Sequence, residues 1–139
     1  MRILGIDYGD ARVGVAVSDI LGFMAQGVRT IKNRGINNLL NELKEILDEY
    51  KPEKIVIGLP KNMDGSEGFR VEATHEFADA LKKIYAGEII FWDERLSSLG
   101  AKRYLNETNT RGKKRKNIID TLSASIILEN YLEYRKNSR

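Results

Sequence analysis

Residues 53–60, EKIVIGLP, constrain this chain more than any other stretch. Five apolar or glycine residues in succession cannot form a strand with one face in water. They read as a central strand buried on both faces and ended by Gly and Pro. Ile36, Leu39, Leu40, Leu43, Ile46, Leu47 and Tyr50 recur at the three-and-four spacing of an amphipathic helix. A second helix is predicted near 69–86, with Val71, Ala78, Leu81 and Tyr85 on one side. EIIFW (88–92) is a further strand, and a shorter helix follows from Leu96 to about Glu107. A last helix starts near Asn117 and carries Ile118, Ile119, Leu122, Ile126, Ile127 and Tyr131. Upstream, the β-branched runs 2–7 and 13–18 are joined by YGDAR and read as an antiparallel hairpin, with a third strand over Ala25 to Ile31. Three strands followed by helix, strand, helix, strand, helix, helix predict an α/β fold. Its central mixed five-stranded sheet is an antiparallel meander continued by parallel strands through helical crossovers.

The 139 residues contain no internal repeat and no low-complexity linker, so one domain over 1–139 is expected. No stretch approaches the roughly 20 apolar residues of a membrane span. MRILGID enters a strand directly, without the apolar region of a signal peptide. The chain has no Cys, which removes disulfides, thiolate zinc sites and Cys nucleophiles together and fits a reducing compartment. A cytoplasmic protein with no membrane contact is expected. Net charge is only +3, but residues 111–116, RGKKRK, hold five cations in six positions. A solvated loop and a phosphate-backbone contact both fit that run.

Three carboxylate positions have comparable settings. Asp7 ends the first apolar strand, Asp93 and Glu94 end EIIFW, and Asp120 is expected in the first turn of the last helix. Acids gathered at strand ends repel one another and lose hydration, a cost that a divalent cation offsets. Hard oxygen ligands favour Mg²⁺ or Mn²⁺, and paired ions of this kind serve phosphodiester hydrolysis. Each acid also has a plain structural role open to it. Asp7 could accept from the amides of the YGDA turn, Asp120 could complement a helix N-terminus, and the DER acids could pair with Arg95. Adjacent strand residues face opposite ways, so at most one of Asp93 and Glu94 faces a common site. His75, the only histidine, lies in a helix and reads as structural or exposed. GLPKNMDGSEG offers Lys61 and Asn62 to phosphates, or serves only as a strand-to-helix loop. Ser123, Ala124 and Ser125 read as small residues that let the last helix pack closely.

GIDYGDARVGVAVSD, IVIGLPKNMDGS, DERLSS and IIDTLSASIILENYL, in this order and spacing, resemble the YqgF/RuvX family. Its members are described as Holliday junction resolvases and pre-16S rRNA processing nucleases of the ribonuclease H-like fold. The four motifs span nearly the whole chain. The resemblance implies a metal-dependent endonuclease in which Asp7, Glu94 and Asp120 are catalytic and ligate Mg²⁺ or Mn²⁺, with Asp93 as the fallback for Glu94. It also implies a basic loop before the last helix, matched here by TRGKKRKN. Arg12, Lys61, Arg95, Arg111, Lys113, Lys114, Arg115 and Lys116 are then candidates for backbone phosphates. Ser97-Ser98 and Ser123-Ala124 replace pairs that the family often fills with Thr and Ala, which leaves the acids intact.

Two rival readings stand beside this one. The first motif is also similar to the phosphate loop of actin-like and sugar-kinase ATPases, which need two such domains around a nucleotide. A nucleic-acid-binding protein with little nuclease activity, acting through partners, is the other. The expected partner is structured RNA or branched DNA, with ribosomal precursor particles among its sources. Monomer and homodimer are both open, and nothing in the residues selects RNA over DNA.

Overall fold

The computed structural model describes residues 2–59, 69–93 and 112–137, with side chains for 2–59, 71–92 and 121–136. The strands are β1 (Ile3–Tyr8), β2 (Arg12–Ser18), β3 (Ala25–Lys32), β4 (Lys54–Leu59) and β5 (Glu88–Asp93). The helices are α1 (Ile36–Tyr50), α2 (Phe69–Leu81) and α3 (Gly112–Asn137). The five strands form one sheet in the order β3-β2-β1-β4-β5. β1–β2 and β2–β3 are antiparallel, whereas β4 pairs in parallel with β1 on one side and β5 on the other. The expected mixed sheet is therefore present, with β4 inside it.

β4 fills the place its composition demands. Ile55 and Ile57 pack into a core layer with Leu39, Leu43 and Ile46 of α1 and Phe77 and Leu81 of α2. Val56 points the other way and packs with Ala124, Ile127, Leu128 and Tyr131 of α3. α1 buries Leu39, Leu43, Ile46 and Leu47, four of the seven positions that mark it in the sequence, and ends on Lys51 in the left-handed conformation. No helix among the described residues is long and apolar enough to cross a membrane.

α3 crosses the sheet over a row of small residues. Gly27 of β3 pairs with Ala16 of β2, Ala16 with Gly5 of β1, and Gly5 with Val56 of β4. A Cβ on Gly5 would lie 2.9 Å from Leu128 Cβ and 3.0 Å from the Ala124 carbonyl oxygen. A Cβ on Gly27 would lie 3.1 Å from Thr121 Cβ. The helix rests on backbone there, as the Ser-Ala-Ser run anticipates.

Two element boundaries differ from the sequence expectation. α2 ends at Leu81 and is followed by a turn over 82–84, so the Lys82–Ala86 part of the predicted helix is not helical. α3 begins at Gly112, five residues before Asn117. Lys and Arg are good helix formers, and their mutual repulsion is screened in water, so a basic run extends the helix. Its glycine stands at the first position, where it interrupts nothing. The short helix expected between Leu96 and Glu107, and the GLPKNMDGSEG loop from Pro60 to Gly68, lie outside the described residues.

Candidate active site

The pleat of β1 sorts its residues into two layers. Leu4 and Ile6 enter the α1/α2 layer, while Ile3 and Gly5 face α3. Alternation carries Asp7 to the α3 side at the far end of the strand. It is half-buried there. Its partner on β2 is Gly14, and Gly58 follows Ile57, the β4 partner of Ile6. Two glycines thus stand beside the carboxylate where side chains would otherwise crowd it.

The turn after Asp7 is held from elsewhere. Asn33 Nδ2 donates to the Gly9 carbonyl at 2.9 Å, and the Asn33 backbone N–H donates to the Ala11 carbonyl at 2.9 Å. A Cβ on Gly9 would sit 2.5 Å from the Arg12 carbonyl oxygen, so this position admits only glycine. Among the described residues, no hydrogen bond from the Gly9–Ala11 turn ends on the Asp7 carboxylate. A turn-closing role for Asp7 has no support in this geometry.

The neighbours on the same side are basic, small or aromatic. Arg12 lies on the α3 side of β2 by the same alternation and pairs with Lys32 of β3. Thr30 pairs with Gly14. Trp92 of β5 pairs with Gly58, packs against the α3 layer, and meets Tyr131 and Tyr134 edge-on at centroid distances of 6.0 and 5.6 Å. Its Nε1 is buried with no hydrogen-bond partner among the described residues.

Asp120 lies on α3 one turn before Ala124, the residue whose carbonyl sits over Gly5. It falls in the third turn of the helix, which corrects the expectation of the first turn. A helix dipole acts within about one turn of the end, so a purely dipole-complementing role for Asp120 fails on position. Lys113, Lys114, Arg115 and Lys116 are likewise helical, which corrects the reading of the basic run as a loop. Arg111, Lys61, Glu94 and Arg95 lie outside the described residues. Asp93 is the last residue of β5, opposite Leu59. His75 is exposed on α2, its ring 4.6 Å from that of Phe91, in keeping with a structural role.

Three neighbours of Asp7 escape a reading of the residues alone. Gly14 and Gly58 look like ordinary strand glycines until the register sets both beside Asp7. Lys32 lies one residue past the predicted end of β3, and the pairing of the meander is the signal that places it and Gly14.

Comparison with known proteins adds to this geometry. The model of a family described as "RuvX: Holliday junction resolvase" matches residues 1–134. The chain belongs to the RuvX family. A relative from Halothermothrix orenii, named "Putative pre-16S rRNA nuclease", is 49% identical to this RuvX chain over 135 residues, covering 97% of it and 96% of the relative. Among solved structures, T. thermophilus RuvC in complex with Holliday junction substrate aligns with a TM-score of 0.64 at 14% identity, covering 99% of this chain and 97% of that one. A ROK family protein from Streptococcus pneumoniae aligns at 0.52 and 19% identity, and the match covers only 39% of that protein. At such identities both structures share the fold with this RuvX chain.

Proposed function

We propose that the chain is a metal-dependent endonuclease that hydrolyses phosphodiesters in structured RNA, with pre-16S rRNA as its substrate. One observation carries the reading: a half-buried carboxylate, Asp7, stands near the end of a core strand between two glycines, and no hydrogen bond from the following turn reaches it among the described residues. A cation bound there would offset the repulsion and lost hydration of such an acid. The name of the 49%-identical relative favours rRNA over a DNA junction. One domain spanning 1–139, working in the cytoplasm, completes the proposal.

Asp7, Glu94 and Asp120 would hold Mg²⁺ or Mn²⁺. The fit rests on hard oxygen donors and on the space left by Gly14 and Gly58. Glu94 is taken over Asp93 on the resemblance of the DER motif to that of the family. Held by these residues, such a cation would supply the charge to lower the pKa of a water and to offset charge on a leaving oxygen. The protein's own residues position the strand. Arg12 and Lys32 hold phosphates beside Asp7, and the helical basic run 113–116 extends that contact. Lys61, Arg95 and Arg111 are assigned to the same backbone path.

The test is cleavage of labelled precursor rRNA and of a four-way DNA junction, with Mg²⁺ or Mn²⁺, against EDTA and Asp7→Asn. Metal-dependent cutting of the RNA, lost in the variant, is the expected result. Cutting of the junction alone would move the substrate to DNA. Binding of both without cutting would replace the enzyme with a binding module.

A further inference from the structure

Trp92, the only tryptophan of the chain, stands in the same row of the sheet as Asp7. Asp7 lies beside Gly58, and Gly58 pairs with Trp92, so one strand separates the two. Two strand spacings put their backbones about 10 Å apart. Both lie on the α3 side of the sheet, Trp92 by its packing and Asp7 by alternation. What the indole contributes is ring. Its Nε1 is buried with no partner among the described residues, and a phenylalanine would fill the layer without that orphaned donor. Tyr131 and Tyr134, one turn apart on α3, both meet the indole at steep angles, 84° and 60°. Tyr131 is buried, whereas Tyr134 is 57% exposed. Tyr134 is therefore an aromatic ring braced from beneath and open above. Among the described residues no ring lies parallel on it.

The chemistry around Asp7 differs from one side to the other. Toward β2 and β3 stand Arg12 and Lys32, which suit phosphates. Toward β5 stand the rings of Trp92 and Tyr134. Arg135 and Lys136 follow Tyr134 in the last turn of α3, and from Tyr134 to Asn137 there is no acid. An aromatic face beside cations suits a single strand of nucleic acid, whose bases stack on the ring while its backbone meets the charge. A duplex keeps its bases stacked on one another and presents mainly backbone and groove.

We propose that Tyr134, braced by Trp92, stacks an unpaired base of the RNA strand a few nucleotides from the phosphate held at Asp7. The inference rests on the nuclease reading for the place of that phosphate. It adds that the strand is single where it leaves the site over β5. At roughly 3.4 Å per stacked nucleotide, about three nucleotides cover the interval from Asp7 to Trp92. Tyr134 acts by binding and positioning, and touches no reacting atom.

Fluorescence anisotropy of the full chain in EDTA tests the proposal, with a labelled unstructured RNA of about 12 nucleotides as probe. The comparison strand has the same backbone with abasic residues throughout. The base-bearing strand should bind the wild type at least about fivefold tighter than the abasic one. Tyr134→Ala should abolish that ratio and Tyr134→Phe should keep it, with thermal midpoints unchanged because the ring is mostly in water. Tyr134→Ala should leave binding of the same RNA as a duplex unaltered. A second measurement places the reporter in the platform. In Trp92→Phe/Tyr134→Trp, fluorescence should be quenched by the base-bearing strand and not by the abasic one. Equal affinity of the two strands for the wild type, or no binding of either, overturns the proposal. So does a ratio that survives Tyr134→Ala, or a double variant that the base-bearing strand does not quench. Failure of the nuclease reading is a separate result. A chain that cuts nothing but keeps the base-dependent ratio retains this inference, and a cutting enzyme with equal affinities loses it alone.

Discussion

Asp7 is a core-strand residue by sequence and a half-buried acid on the α3 side of the sheet by register, and the difference is made by its neighbours. Replacing Gly14 with Leu would fill the space beside the carboxylate without touching the charge. Cleavage should fall at least tenfold while the fold survives, as seen by circular dichroism alongside the rate assay. Tyr85 offers a test away from the site. Its hydroxyl donates to the Pro52 carbonyl at 2.9 Å, and burial pushes its pKa up to about 12. The unfolded chain therefore releases this proton first, near pH 10. Stability from this residue is complete below pH 10 and falls as pH rises toward about 12. Tyr85→Phe should cost about 1 kcal/mol at neutral pH. It should also flatten that alkaline decline, followed as urea midpoints across the range.

At the level of elements, periodicity and burial were readable, and contact was not. β4 announces itself because an unbroken apolar run has no other home in a small α/β protein, and α1 because its spacing leaves no alternative. The start of α3 was not readable, since a basic run and a glycine mimic a loop until the helix that includes them is seen. Nor could the row Gly27–Ala16–Gly5 be read, because its members come from three strands and meet only through register. Gly5→Ala should force Leu128 and Ala124 aside, costing about 1–3 kcal/mol and lowering Tm by roughly 5–10 °C. Trp92 sits under Tyr131 and Tyr134, so its fluorescence should report the same displacement of α3. For the basic turns of the helix, changing Lys113, Lys114, Arg115 and Lys116 to Ala should weaken RNA binding. The dependence of log affinity on log salt should become shallower by up to about 3.

Across the whole molecule, the sheet separates two ends with opposite chemistry. One holds Asp7, Arg12 and Lys32, and the other an uncharged apolar turn. Sequence motifs pointed to the first end because acids and cations carry recognisable patterns. The second drew no notice, since DILGFMAQ reads as buried until its exposure is measured. α3 ties the two halves of the functional proposal together. It is both the cover of one core layer, over Ile3, Ala16 and Val56, and the carrier of Asp120. In a chain made from its N-terminus, the acid at position 7 emerges well before the helix that bears position 120. Until residues 124–132 settle on the sheet, the half-made protein would hold only part of the proposed acidic set. Under the proposed site, cleavage would wait until the last helix is in place, which would spare the messenger and the ribosome during synthesis.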